Sequence, residues 1–212
     1  MQLKEFIKDN NPIAKIVRYF KRKKLVNENF TLLTMNCFAG IVYHNLNIPF
    51  LSPTINIRFE NIRHFYKFCS NLKYYISTEL VEIPSNEPYP MAKLDDLIIH
   101  LVHYKTFIDA KKKWDERKIR INYDNLYIIA NDYVTETERL SKEEILAFGT
   151  IPCKNLVVQV QEKYIDIPYA YYMGKKLSKL MKTNMLTGLR GYETSFDVIG
   201  FLNSRKEIYK CN

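Results

Sequence analysis

Residues 31–40 read TLLTMNCFAG, and what they become decides the architecture. An apolar run from Phe30 to Met35 leads into Asn36 and Cys37, after which Phe38 to Leu46 carries helical spacing. A short continuous apolar run fits a strand buried on both faces, as in a parallel sheet covered by helices. Ligands of such sheets gather outside the carboxyl ends of the strands, which is where Asn36 and Cys37 fall.

Working outward, the same handover recurs. Leu97 to Val102 reads as a second buried strand ending at His103 and Tyr104, and Leu126 to Ala130 as a third ending at Asn131 and Asp132. Asn155 to Val160 makes a fourth. Between them, Leu51 to Phe59 (LSPTINIRF) alternates like an extended segment. Asn61 to Leu80 carries Ile62, Phe65, Phe68, Cys69, Leu72 and Tyr75 on one helical stripe, which makes Cys69 a core residue. Pro84, Pro88 and Pro90 make Ile83 to Met91 a loop. Thr106 with Asp109 caps a helix that lasts to about Arg120, and Ser141 with Glu144 is a capping box for a helix ending at Phe148. Helical patterns follow over Lys175 to Met185 and Phe196 to Leu202, with Gly188 and Gly191 at the join. Strands alternating with helices predict an α/β fold, a Rossmann-like, mostly parallel sheet with helices on both faces, plus a basic amino-terminal helix. The expected division is a helical arm over residues 1–28 and a single α/β domain over 29–212.

The arm is NPIAKIVRYFKRKK, residues 11–24. Asn11 and Pro12 are a cap and a first-turn residue. Ile13, Ile16, Val17 and Phe20 fall at helical spacing among six cations, so the helix can lie on an anionic membrane surface or lean on the domain with its lysines solvated. The chain carries a formal charge of +9, which favours anionic partners. No nucleic-acid module is visible, so nucleic acid is not an expected partner. The 16 Tyr and 12 Phe fill cores and also suit stacking on sugars or bases. Cys37, Cys69, Cys153 and Cys211 are widely spaced, which predicts neither a zinc ribbon nor a disulfide framework. Without a secretory leader, or a run of ~18 apolar residues able to span a bilayer, the expectation is a cytoplasmic protein, held peripherally at the inner face of the cell membrane if the arm binds lipid. No glycine-rich phosphate loop, DxD, HExxH or GxSxG motif occurs, and neither a metal nor a cofactor is expected.

If the strands are parallel, Asn36 and Cys37, His103 and Tyr104, and Asn131 and Asp132 meet on one rim. Thiol, imidazole and carboxylate could then form a nucleophilic constellation, with the helix start after Cys37 favouring thiolate. Equally, Cys37 is a small buried side chain and His103 a backbone partner. In the helix 106–121, Phe107, Ala110, Trp114 and Ile121 form an apolar stripe with Arg117 at its edge and Arg120 at the helix end. Arg117 either holds a phosphorylated substrate or ties the helix to an acid such as Asp132.

The stretches NFTLLTMNCFAG, LSPT, VHYKTFIDAKKKWDERKIRINYDNLYII, EEILAFGTIPCKNLVV and FDVIGFLN resemble, in order from Asn29 to Asn203, a bacterial family labelled "domain of unknown function nineteen-nineteen". The most specific part is His103-Tyr104 followed by Ala110, Trp114, Arg117, Arg120, Ile121 and Asn122. Many members are similar to Asn-Asn-Cys-Trp-Gly-Gly at the first motif. Here Met35, Phe38 and Ala39 depart from it, while Asn36, Cys37 and Gly40 match. The resemblance implies a role in exopolysaccharide or capsular polysaccharide biosynthesis and brings no established reaction. It adds Ser52, Thr54 and Trp114 to Asn36, Gly40, Tyr104, Arg117 and Arg120 as candidate substrate-binding residues, with His103, Asp132 and Cys37 as catalytic candidates. Three functions follow: a glycosyltransferase taking a nucleotide sugar and a lipid-linked or growing saccharide acceptor; a Cys37 acyl or ester transferase or hydrolase; or a non-catalytic carbohydrate-binding or scaffold protein.

Overall fold

In a computed structural model that describes residues 11–132 and 139–204, TLLT becomes the first strand of a wholly parallel sheet. Strand β1 (Thr31–Thr34) pairs with β6 (Leu126–Asn131), β6 with β7 (Asn155–Val160), and β7 with β8 (Ala170–Tyr172). Alternation along these strands serves two cores. Leu32, Tyr127, Ile129 and Val157 face one, and Leu33, Ile128 and Val158 face the other. This is why the strand sequences are apolar throughout.

The first core is closed by helix α2 (Phe38–Asn45), a 3-10 turn at Gly174–Lys179, and helices α7 (Gly191–Ser195) and α8 (Val198–Leu202). The second is closed by α3 (Ile62–Ser70), α4 (Leu72–Ser77), α5 (Phe107–Lys118) and α6 (Lys142–Phe148). It also contains a second, antiparallel sheet in the order β2-β5-β4-β3, built from β2 (Arg58–Phe59), β3 (Leu80–Ile83), β4 (Met91–Leu94) and β5 (Leu97–His100). The fold is α/β, with helices on both faces of the parallel sheet.

Local caps formed as the sequence indicates. Asn11 accepts from the amides of Ile13 and Ala14 to open α1 (Pro12–Lys24), Thr106 accepts from Asp109, and Ser141 with Glu144 closes both arms of a capping box. Other expectations are corrected. The strand at Leu97 belongs to the antiparallel sheet, so His103 and Tyr104 do not end a strand of the parallel one. Within LSPTINIRF only Arg58 and Phe59 pair; the rest is a loop, with Asn56 in the left-handed region at φ 64°. The helix expected over Asn61 to Leu80 breaks at Asn71 and ends at Ser77, and Leu80 opens β3. Asp95 and Asp96 are the two-residue turn joining β4 to β5, with Asp95 at φ 58°. Of the helix over Lys175 to Met185, only the 3-10 turn is present. Cys211 and residues 1–10 of the arm lie outside the described residues.

Helix α1 sits on the body through its charges. Arg18 forms a two-pronged pair with the buried carboxylate of Glu193, with Nε to Oε1 at 3.1 Å and Nη2 to Oε2 at 3.0 Å. Lys21 donates to the Glu193 carbonyl and Asn11 to that of Leu186. Within the helix, only Ala14 is fully buried.

Candidate functional site

The carboxyl ends of β1, β6 and β7 open into a cavity of about 530 Å³. Its floor carries Asn36 and Asn131, with Gln161 just beyond β7; Met35, Phe38, Leu177, Leu180 and Met181 form apolar walls. Ser178, Arg139 and Lys182 complete the lining. The strand order β1-β6-β7-β8 runs one way, so no order reversal creates the crevice. The segment containing residues 177–182 makes it instead, by folding back over the strand ends.

Asn36 answers what a polar pair does where β1 hands over to α2. Its Oδ1 accepts from the Phe38 amide at 3.0 Å, and Thr34 Oγ1 accepts from the Ala39 amide at 3.1 Å. Two first-turn donors are therefore already occupied, which leaves little of an amide cradle for phosphate. Gly40 serves packing: an added Cβ would stand 3.3 Å from Ile55 Cγ2. Asn131 is steadied on the floor by donating to Gln159 Oε1 at 2.6 Å, while the buried Gln159 Nε2 has no hydrogen-bond partner among the described residues. Asp132 stands next to the floor but turns its carboxylate to the Leu140 amide at 2.8 Å. Burial raises its pKa, and hydrogen bonds from the Leu140 and Gln161 backbone pull it back. Asp132 thereby ties the chain beside Arg139 and at Gln161 to the end of β6.

The other candidates assemble elsewhere. Arg117 is buried, and its Nη1 donates to the Ile55 carbonyl at 3.2 Å and the Tyr104 hydroxyl at 2.7 Å, with its guanidinium 5.3 Å from the Phe50 ring centroid. Arg120 is exposed and donates to the Phe50 carbonyl. Both arginines thus hold the loop containing residues 50–55 to α5 and the turn that follows it, and neither reaches Asp132 or lines the cavity. Ser52 and Thr54 are buried and bonded to each other, and Thr54 Oγ1 accepts from the Thr34 amide. Trp114 is a core residue whose indole N–H has no hydrogen-bond partner among the described residues. His103 is exposed on the loop after β5. Among the described residues, no three His, Cys, Asp or Glu side chains form a metal-holding group.

Cys37 lies between these two regions, its Sγ 3.9 Å from the Ile57 carbonyl. Burial pushes its thiol up to about 11, outweighing its own backbone hydrogen bond and the Arg58 charge, so the expected thiolate at the helix start is reversed. Folding favours the neutral thiol, and that contribution is intact below the ordinary value of 9.0 and lost as pH climbs towards 11. At pH 8 about one thiol in a thousand is then ionised. Iodoacetamide should therefore modify native Cys37 on the order of 100-fold more slowly than an unperturbed cysteine, followed by peptide mass spectrometry so that each cysteine is read separately. Fast modification at pH 8 would overturn that placement.

Gln161, Arg139, Ser178 and Lys182 are the polar lining residues that sequence reasoning missed. The strand-end rule that picks out Asn36 and Asn131 also points to Gln161, the first residue after β7. The other three lie on segments whose return to the sheet no local pattern announces.

An uncharacterized protein of Haemophilus influenzae is 29% identical over 206 residues, a stretch covering 93% of this chain and 98% of that protein. Across residues 8–203 the sequence also matches a family profile, and the match takes in α1, which lies outside the resemblance read from Asn29 onward. With the cavity, both cores and the docked helix all inside that span, the chain belongs to the family described as Domain of unknown function (DUF1919).

Proposed function

We propose that the chain is a transferase of capsular or exopolysaccharide assembly, in its simplest form a glycosyltransferase, that takes a nucleotide-sugar donor in the cavity at the ends of β1, β6 and β7. The observation that carries this reading is the composition of the cavity. Its volume of about 530 Å³ is in the range for a small organic ligand. Phe38 and the aliphatic wall offer an apolar surface for a base, and Asn36, Asn131 and Gln161 offer paired donors and acceptors for base edges or sugar hydroxyls. Arg139 and Lys182 supply positive charge for a diphosphate.

In the transfer, the bond between the sugar's anomeric carbon and the diphosphate oxygen breaks. The acceptor oxygen bonds to that carbon and passes its proton to the departing diphosphate, which leaves with the electron pair. The two cations would act where that negative charge develops. Among the described residues the lining holds no carboxylate or imidazole, so the work these residues can do is binding and leaving-group stabilisation. That fact also favours a second reading, a carbohydrate-binding protein without turnover.

Calorimetry with a panel of nucleotide sugars and nucleoside diphosphates tests the reading. Replacing Arg139 or Lys182 with alanine should weaken binding about 10- to 100-fold each, as expected for a charge-assisted hydrogen bond. If no nucleotide sugar binds, or if both variants bind like the parent, the cavity is not a donor site. Binding without transfer or donor hydrolysis would select the second reading.

A further inference from the structure

Helix α1 is mounted with its charged face inward and its apolar face outward. Ala14, Arg18 and Lys21 point to the body; Glu193 and the Gly188 carbonyl hold the two cations, and the Leu186 carbonyl accepts from Asn11. Ile13, Ile16, Tyr19 and Phe20 remain 47%, 58%, 58% and 59% exposed. At about 100° per residue these four occupy an arc of about 120° on the helix. Lys15 and Arg22, the latter paired with Glu28 at 2.7 Å, border that arc on one side and Lys24 on the other, while Lys23 falls within it, over the Tyr19 ring at 5.6 Å. The neighbouring turn, tied to α1 through Asn11, exposes Met185 and Leu186, 57% and 84% respectively. An apolar strip with aromatic members and a cationic border, on a helix already folded and fixed, has the composition of an interfacial anchor.

We propose that this outward face of α1, with the Met185–Leu186 turn, docks on the surface of an anionic lipid bilayer. The apolar row enters the boundary between headgroups and acyl chains, while the lysines of the helix meet lipid phosphates. Charge complementarity selects this occupant: a second copy of the chain would bring the same cations against these. Because Arg18 and Glu193 hold the helix in place beforehand, docking requires no folding step. Among the described residues no helix is long and apolar enough to cross a membrane, so the contact is peripheral. The proposal is independent of the donor cavity, and its test needs no nucleotide.

The full chain is floated with vesicles of phosphatidylcholine alone and with vesicles that are about one third phosphatidylglycerol, at about 0.1 M and about 0.5 M salt. Partitioning should be at least about tenfold stronger on the anionic vesicles and should fall with salt. Ile16→Glu with Phe20→Glu should lower it at least about tenfold, and Lys15→Glu with Lys24→Glu should abolish the preference for anionic lipid. Ile108→Glu, at a still more exposed apolar residue on α5, should change nothing. All these positions are solvent-facing, and circular dichroism checks that each variant keeps its fold. The proposal is overturned if anionic vesicles do not retain the parent chain or if the Ile16/Phe20 variant floats like the parent. It is also overturned if light scattering shows a dimer that Phe20→Glu dissolves, because the face would then belong to a second copy.

Discussion

Replacing Glu193 with alanine is expected to cost about 3–5 kcal/mol of unfolding free energy, read from urea denaturation. The Glu193 side chain is 1% exposed and serves three donors: Arg18 Nε and Nη2, and the Arg190 amide at 2.8 Å. Removing it strands a partly buried guanidinium and a helix-start amide, and breaking a buried pair by deleting one partner is the costly way to lose it. Lys21 feels the change as well. Burial already holds its amine below the ordinary lysine range, and Glu193 is the largest influence opposing that. The double change Arg18→Met with Glu193→Leu should recover most of the loss, because two apolar side chains of similar volume remove the desolvation problem together. A loss below about 1 kcal/mol for Glu193→Ala would mean that α1 is held by something other than this pair.

That ion pair also shows where sequence reading stops. The spacing of Ile13, Ile16, Val17 and Phe20 correctly gives a helix, and Asn11 correctly gives its start, because caps and periodicity are local. Which face turns inward is decided by a carboxylate 175 residues away, and the usual apolar-inward assumption fails here. Strands β1, β6 and β7 were legible for a different reason: burial on both faces leaves an uninterrupted apolar run. The same property made β5 legible as a strand and misleading as a neighbour, since an apolar run does not say which sheet buries it. Strands β3 and β4 went unseen because each is partly exposed and flanks a proline loop. At the site, Asn36 and Asn131 could be read because each directly follows a recognisable apolar run. Arg117, Arg120, Ser52 and Thr54 are motif residues that proved to be ties between α5, β1 and the loop between them. A motif built around such ties marks a structural joint as readily as a ligand site.

Gly191→Ala is expected to damage stability and the cavity together. A Cβ on Gly191 would stand 2.2 Å from the Lys179 carbonyl oxygen, 2.9 Å from its carbon and 3.3 Å from Leu180 Cα. All three are backbone atoms, so no side chain can swing aside to make room. The two segments are also laced tightly: the Gly191 amide donates to the Lys182 carbonyl at 2.9 Å and the Tyr192 amide to the Leu180 carbonyl at 3.0 Å. Overpacking of this kind costs about 1–3 kcal/mol where neighbours can shift, and more where they cannot, so a loss of at least about 3 kcal/mol is expected by denaturation. Leu180, Met181 and Lys182 form one wall of the cavity, so moving this stretch of backbone moves the wall. Any ligand bound there should weaken beyond what the Lys182→Ala change alone produces. Gly188→Ala is the control. That residue sits at φ 68°, so an added Cβ brings the conformational penalty of about 1–2 kcal/mol. If Gly191→Ala and Gly188→Ala behave alike in both stability and ligand affinity, the close approach at Lys179 is not what shapes the cavity wall. A Gly191 variant that loses stability and ligand affinity together, beside a Gly188 variant that keeps its affinity, would tie the wall of the site to one missing methyl group.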